Sequence, residues 1–142
     1  MKAALMREYH RPLELVELPA PQIARPTDVL VRVGGAGVCA TDLHAIEGLM
    51  EPAGVTLPLV LGHENAGWVD ATGDGVSTVA AGDAVLVYPP FSCGLWELLQ
   101  LQAAGRLTLK TEMHPLEAVN DVLDKLRDGE VTGRAVLVPR CY

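Results

Sequence analysis

The chain has 142 residues, 49% of them hydrophobic, with 18 acidic residues against 11 lysines and arginines and a formal charge of −7. That length suits one domain with a real core and leaves no room for a second full-size domain. The acidic balance argues against nucleic acid as a partner, no apolar run approaches the roughly 18 residues of a membrane span, and the early charges Lys2, Arg7 and Glu8 predict no signal peptide.

Residues 3–6 and 13–18 read as short extended segments, and Pro19, Pro21 and Pro26 punctuate the loop that follows. Residues 28–33 are rich in valine and partly alternating, a strand by pattern. A short helix is predicted over 41–47 with Gly48 as its stop. Residues 66–72 form another strand, Gly73-Asp74-Gly75 a turn, and Gly82-Asp83 a turn into a strand at 84–88. Many short strands with glycine and proline turns favour a small barrel over a parallel α/β sheet. The last third changes character. Residues 95–104 read as a helix ended by Gly105, and 107–111 as extended. Pro115 opens the clearest helix, with Leu116, Val119, Val122, Leu123 and Leu126 on one face. Gly129 closes it, and Lys125 and Arg127 lie near its negative end. A final strand is predicted at 135–138, stopped by Pro139.

Two segments carry chemistry. The first is Gly62-His63-Glu64-Asn65-Ala66-Gly67, running on to Gly73 and Val76, the pattern G-H-E-x2-G-x5-G-x2-V. The second, 24 residues upstream, is Cys39-Ala40-Thr41-Asp42-Leu43-His44. A thiolate and a neutral imidazole are good zinc ligands, and a catalytic zinc needs about three protein ligands and an open position. An isolated Cys39 and His63 would instead be a buried thiol and a satisfied core histidine.

Together the two segments resemble the catalytic zinc site of the medium-chain, zinc-dependent alcohol dehydrogenases. The resemblance implies a mainly β fold with a few helices, a GroES-like, partly open β-barrel in a single domain spanning 1–142. Residues 1–91 resemble the N-terminal part of that barrel, and 95–142 its returning C-terminal part. Ala104-Gly105-Arg106-Leu107, Pro115-Leu116-Glu117-Ala118 and Gly133-Arg134 are typical phrasing there. Between these blocks the family carries a four-cysteine lobe around a structural zinc and a nicotinamide-binding Rossmann domain. Cys93-Gly94 resembles the opening of that lobe, yet no cysteine follows until Cys141. Residues 92–94 therefore read as a splice junction from which both elements have been cut.

The resemblance implies a role for each site residue. Cys39 and His63 are the zinc ligands. The third family ligand falls in the missing region, and Glu64 is the foremost substitute. Asp42 resembles the family's carboxylate that stands behind a ligand and orients it by hydrogen bonding. Thr41 and His44 resemble the proton relay: the Thr41 hydroxyl accepts the alcohol proton and His44 passes it to solvent. Structural alternatives stand beside these roles: an N-terminal helix charge for Asp42, a buried ion pair for Glu64, a helix N-cap for Thr41.

Gly35-Ala36-Gly37-Val38-Cys39-Ala40 matches G-x-G-x-x-A, but no acidic residue follows near 57–61 to hold a ribose, and the helix is too short. These glycines read as turning a strand end tightly. His10 is expected in a turn, His114 as a cap or surface residue, Trp68 and Trp96 as core or former interface, and Cys93 and Cys141 as a stranded remnant and an exposed thiol. Three cysteines without a secretory signal suggest a reducing cytoplasm and no disulfide framework.

Two functions follow. One is the zinc- and substrate-binding half of an enzyme that in complete form transfers hydride between a small alcohol or carbonyl and NAD(P), the isolated chain being inactive. The alternative is a non-enzymatic, stand-alone β module, with or without Zn2+. A third, residual hydrolysis of activated esters by a metal-held water, is the smallest expectation. The face bared by the missing domain, with Phe91, Leu95 and Trp96 beside it, predicts a homodimer.

Overall fold

The computed structural model describes residues 1–88 and 95–139. The expected junction at 92–94, with Phe91, Cys93 and Cys141, lies outside them, and nothing is described of the Leu95 and Trp96 side chains.

Two open sheets make up the β part. In the first, β1 (Lys2–Met6) lies between β2 (Glu14–Glu17) and β4 (Leu59–Val60), antiparallel to both. The second sheet uses β3 (Val29–Gly37), β5 (Glu64–Thr72), β6 (Ala84–Leu86), β7 (Thr111–Pro115) and β8 (Arg134–Val138). Their order is β6-β5-β3-β8-β7, antiparallel except for the parallel β7–β8 pair. Three α-helices, α1 (Ala40–Ile46), α2 (Leu95–Ala103) and α3 (Val119–Arg127), and two 3-10 turns, Glu51–Ala53 and Leu116–Ala118, complete the described architecture; the helix expected from Pro115 thus starts with a 3-10 turn before α3. The chain therefore has the mixed, mainly β organisation predicted above, with its strands in open sheets and no closed barrel among the described residues. Among the described residues no helix is long and apolar enough to cross a membrane.

Burial explains the elements. β1 presents four consecutive buried apolar residues, Ala3 to Met6. β5 alternates, with Gly67 and Val69 inward and Trp68 and Asp70 outward, as a pleated strand with one buried face must. α3 buries Val119, Val122 and Leu123 on one stripe. These meet Met6, Leu13, Val38, Ile46 and Leu137 in one cluster. Residues after 115 thus close a core that the N-terminal strands begin. The Asn120 side chain locks the two ends together, donating to Leu13 O and accepting from Leu13 N, each at 2.9 Å.

Two expectations about the strands are corrected. The strand falls at Thr111–Pro115 rather than 107–111, because the backbone from Lys110 onward meets β8 and residues 107–109 lie in no sheet. Gly35 and Gly37 do not turn the strand end; β3 runs through them, paired to β5 on one side and β8 on the other. Their lack of a side chain serves close approach instead. A Cβ at Gly35 would press on the Val136 side chain, and one at Gly37 would overlap the Glu64 carboxylate. Strand β4 was not anticipated at all, being two residues long.

Candidate metal centre

Antiparallel pairing of β3 and β5 sets Gly37, at the end of one strand, opposite Glu64, at the start of the other. Cys39 follows the first strand by two residues and His63 precedes the second by one, so the pairing brings them together. Gly62, with φ +121°, lets the chain turn into β5 at this point. Cys39 Sγ lies 3.2 Å from His63 Nε2. The donor atoms of Cys39, His63 and Glu64 all lie within 4.8 Å of one another, each residue half-buried.

Cys39 is also the N-cap of α1, and Asp42 at the third helical position turns back on it. Asp42 Oδ2 accepts the Cys39 backbone N–H at 2.9 Å. Its Oδ1 faces His63 Nδ1 at 3.3 Å, too poorly aligned for a regular hydrogen bond, and makes no other. Asp42 is only 3% exposed. Burial raises its pKa above the ordinary carboxylate value; the Cys39 N–H and the His63 ring oppose the rise, and the nearby Glu64 charge adds to it. The carboxylate on Nδ1 leaves Nε2 as the nitrogen turned toward Cys39, which is how a ligating histidine is normally held.

Ligands of one tetrahedral zinc stand roughly 3.5 Å apart, given bonds of about 2.0–2.3 Å. The Cys39–His63 separation suits that, and a swing of the Glu64 carboxylate would bring in a third donor. Thiol, imidazole and carboxylate together are chemistry that a zinc ion accepts.

Thr41 and His44 lie three residues apart on α1, half-buried and exposed respectively. Cys39, not Thr41, caps the helix, so the capping alternative for Thr41 is overturned. Glu64 is ion-paired to Arg134, its Oε1 3.7 Å from Nη1, but with side chains 32% and 45% exposed the pair is not the buried one considered above. His10 does occupy a turn, at φ 59°, 3.0 Å from Glu47. His114 is neither cap nor surface residue: it lies half-buried within β7, beside Glu112. Trp68 is 43% exposed and covered by the Arg32 guanidinium, so it is not a core residue.

Sequence reasoning missed Arg134 and Gly37. Arg134 was visible only as part of the family phrasing Gly133-Arg134, and nothing local ties it to a site 70 positions away. Gly37 was visible only as half of a misleading G-x-G.

Residues 25–106 match the family model described as the alcohol dehydrogenase GroES-like domain. The chain is 45% identical over 89 residues to a D-arabinose 1-dehydrogenase (NADP(+)) of Saccharolobus solfataricus, covering 61% of this chain and 24% of that protein. It is 42% identical over 85 residues to an alcohol dehydrogenase of Geobacillus stearothermophilus, covering 60% and 25%. The chain thus spans about a quarter of the length of the relatives it matches. Among solved structures, alcohol dehydrogenase TADH from Thermus sp. ATN1 aligns over 61% of this chain and 24% of its own, at 39% identity and a TM-score of 0.54. The alcohol dehydrogenase of Aeropyrum pernix aligns over 98% of this chain and 100% of the compared chain, with a TM-score of 0.85. At 17% identity, that likeness speaks for the fold alone.

Proposed function

Since this chain belongs to the alcohol dehydrogenase GroES-like domain family, we propose that it is the metal- and substrate-binding half of an enzyme that oxidises an alcohol, or reduces a carbonyl, with NAD(P). One observation carries this reading: Cys39, His63 and Glu64 converge, with Asp42 behind the histidine.

Cys39, His63 and Glu64 would hold a zinc ion. When bound, zinc acts as a Lewis acid on the substrate oxygen and lowers the pKa of its hydroxyl. Asp42 keeps the His63 ring oriented and its Nδ1 protonated. In the complete enzyme the Thr41 hydroxyl would accept the alcohol's proton while releasing its own, which would pass through the cofactor ribose to exposed His44, one helical turn on, and so to solvent. Hydride transfer needs a nicotinamide site on a separate domain, to which residues 1–91 and 95–142 are the two flanks and 92–94 the junction. The chain by itself therefore binds metal without turning over alcohol. A cytoplasmic setting suits the free thiol of Cys39.

Self-association belongs to the same reading. Leu86, Val87 and Tyr88 are 51%, 41% and 53% exposed, at the sheet edge that leads to residue 89. Such a patch favours a homodimer through the uncovered face, and sedimentation would detect it.

Elemental analysis of protein purified without chelator tests the central claim. Zinc near one per chain, lost in Cys39→Ala and His63→Ala, is the expected result. Zinc near zero would overturn it and leave the stand-alone β module. Robust NAD(P)-dependent oxidation by the purified chain would overturn the prediction of inactivity.

A further inference from the structure

Glu64 is claimed from two directions. Its carboxylate lies within reach of the Cys39–His63 donor pair, while Oε1 faces Arg134 Nη1 at 3.7 Å. Arg134 opens β8, and the same Nη1 donates to Val38 O at 3.2 Å. Val38 immediately precedes Cys39, so the guanidinium is anchored to the backbone that carries the thiol. Glycine at 37 leaves the space that the Glu64 carboxylate fills.

We propose that Arg134 is a positioning residue that competes with a divalent ion for Glu64, and so sets how tightly the Cys39–His63 pair holds metal. The inference rests on the metal-site reading above. Its physical basis is charge. Without an ion, Glu64 lies beside the buried Asp42 carboxyl and the Cys39 sulfur, and the fixed guanidinium is the cation that its charge finds. An entering ion offers a closer, doubly charged partner, but recruiting Glu64 means giving up the arginine contact. Both side chains are a third to a half exposed, so solvent screens the pair and the competition is modest. Loss of an exposed ion pair corresponds to a change of about two- to fivefold.

The test is titration of Co2+ and Zn2+ into the metal-free 142-residue chain, following the thiolate-to-cobalt charge-transfer and ligand-field bands. Arg134→Gln is expected to bind about two- to fivefold more tightly than the parent. The gain should vanish in a Glu64→Gln background, which a merely structural role for Arg134 does not predict. Arg134→Lys keeps the charge but not the two-point hold and should fall between. Should Arg134→Gln not fold, the lysine variant decides alone: tighter than the parent supports competition, equal or weaker overturns it. If the parent binds cobalt and Arg134→Gln binds it no better, competition is wrong while the metal site stands. If neither binds, both readings fall together.

Discussion

Asp42 holds two neighbours at once: one oxygen accepts the Cys39 backbone N–H at 2.9 Å, and the other faces His63 Nδ1 at 3.3 Å. A single buried carboxylate thereby relates the backbone at the start of α1 to the ring that follows β4, and lies behind both donors. The electrostatic cost of burying it is visible in its raised pKa. A cation in front of Cys39 and His63 would relieve that cost.

Replacing Asp42 with Asn should weaken Co2+ and Zn2+ binding by about ten- to a hundredfold, the usual effect of losing an outer partner of a ligating histidine. Cobalt titration measures it. Unchanged affinity would mean that His63 is oriented by something else.

The metal-free chain should show a pH dependence that belongs to Asp42. Its folded pKa lies above the ordinary 3.8, so between the two values the folded chain holds a proton that the unfolded chain has lost. The contribution of Asp42 to stability is full below 3.8 and is lost as pH rises through the raised folded value. Chelator-treated protein and Asp42→Asn, compared by urea unfolding across this range, should diverge in that sense. Parallel curves would contradict the shift.

A Cβ at residue 37 would overlap Glu64 Oε2 and come within 3.1 Å of Glu64 Cβ. Gly37→Ala should therefore push Glu64 off its position, weakening cobalt binding severalfold at a stability cost of about 1 kcal/mol. The ligand-field spectrum and urea midpoint, read together, separate the two effects.

Gly67 presents a harder limit. A Cβ there would overlap the Arg32 carbonyl oxygen and stand 2.9 Å from its carbon, both of them backbone. Neither strand can yield without breaking the β3–β5 pairing, so Gly67→Ala should cost about 3 kcal/mol or prevent folding. A urea midpoint close to the parent's would show that the strands separate more easily than their register suggests.

Local pattern carried much of this molecule. The spacing of Val119, Val122 and Leu123 announced α3, and the Gly62–Val76 motif with Cys39 announced the donor pair, because these signals lie within one helix face or one short segment. Periodicity failed where partners are remote. The alternating Leu107-Thr108-Leu109 looked more strand-like than Thr111–Pro115, yet β7 forms where β8 supplies hydrogen bonds. The Gly35–Gly37 stretch resembled a turn because sequence cannot show that Val136 and Glu64 crowd those positions.

By itself, then, the sequence determined which residue types were available for a soft metal site and that they sit on a mainly β scaffold, since ligand chemistry and hydrophobic period are properties of the local chain. Only the tertiary structure decided that Arg134, 70 positions beyond Glu64, would contest that carboxylate. Electrostatic coupling depends on separation in space, and here strand order β5-β3-β8 sets it.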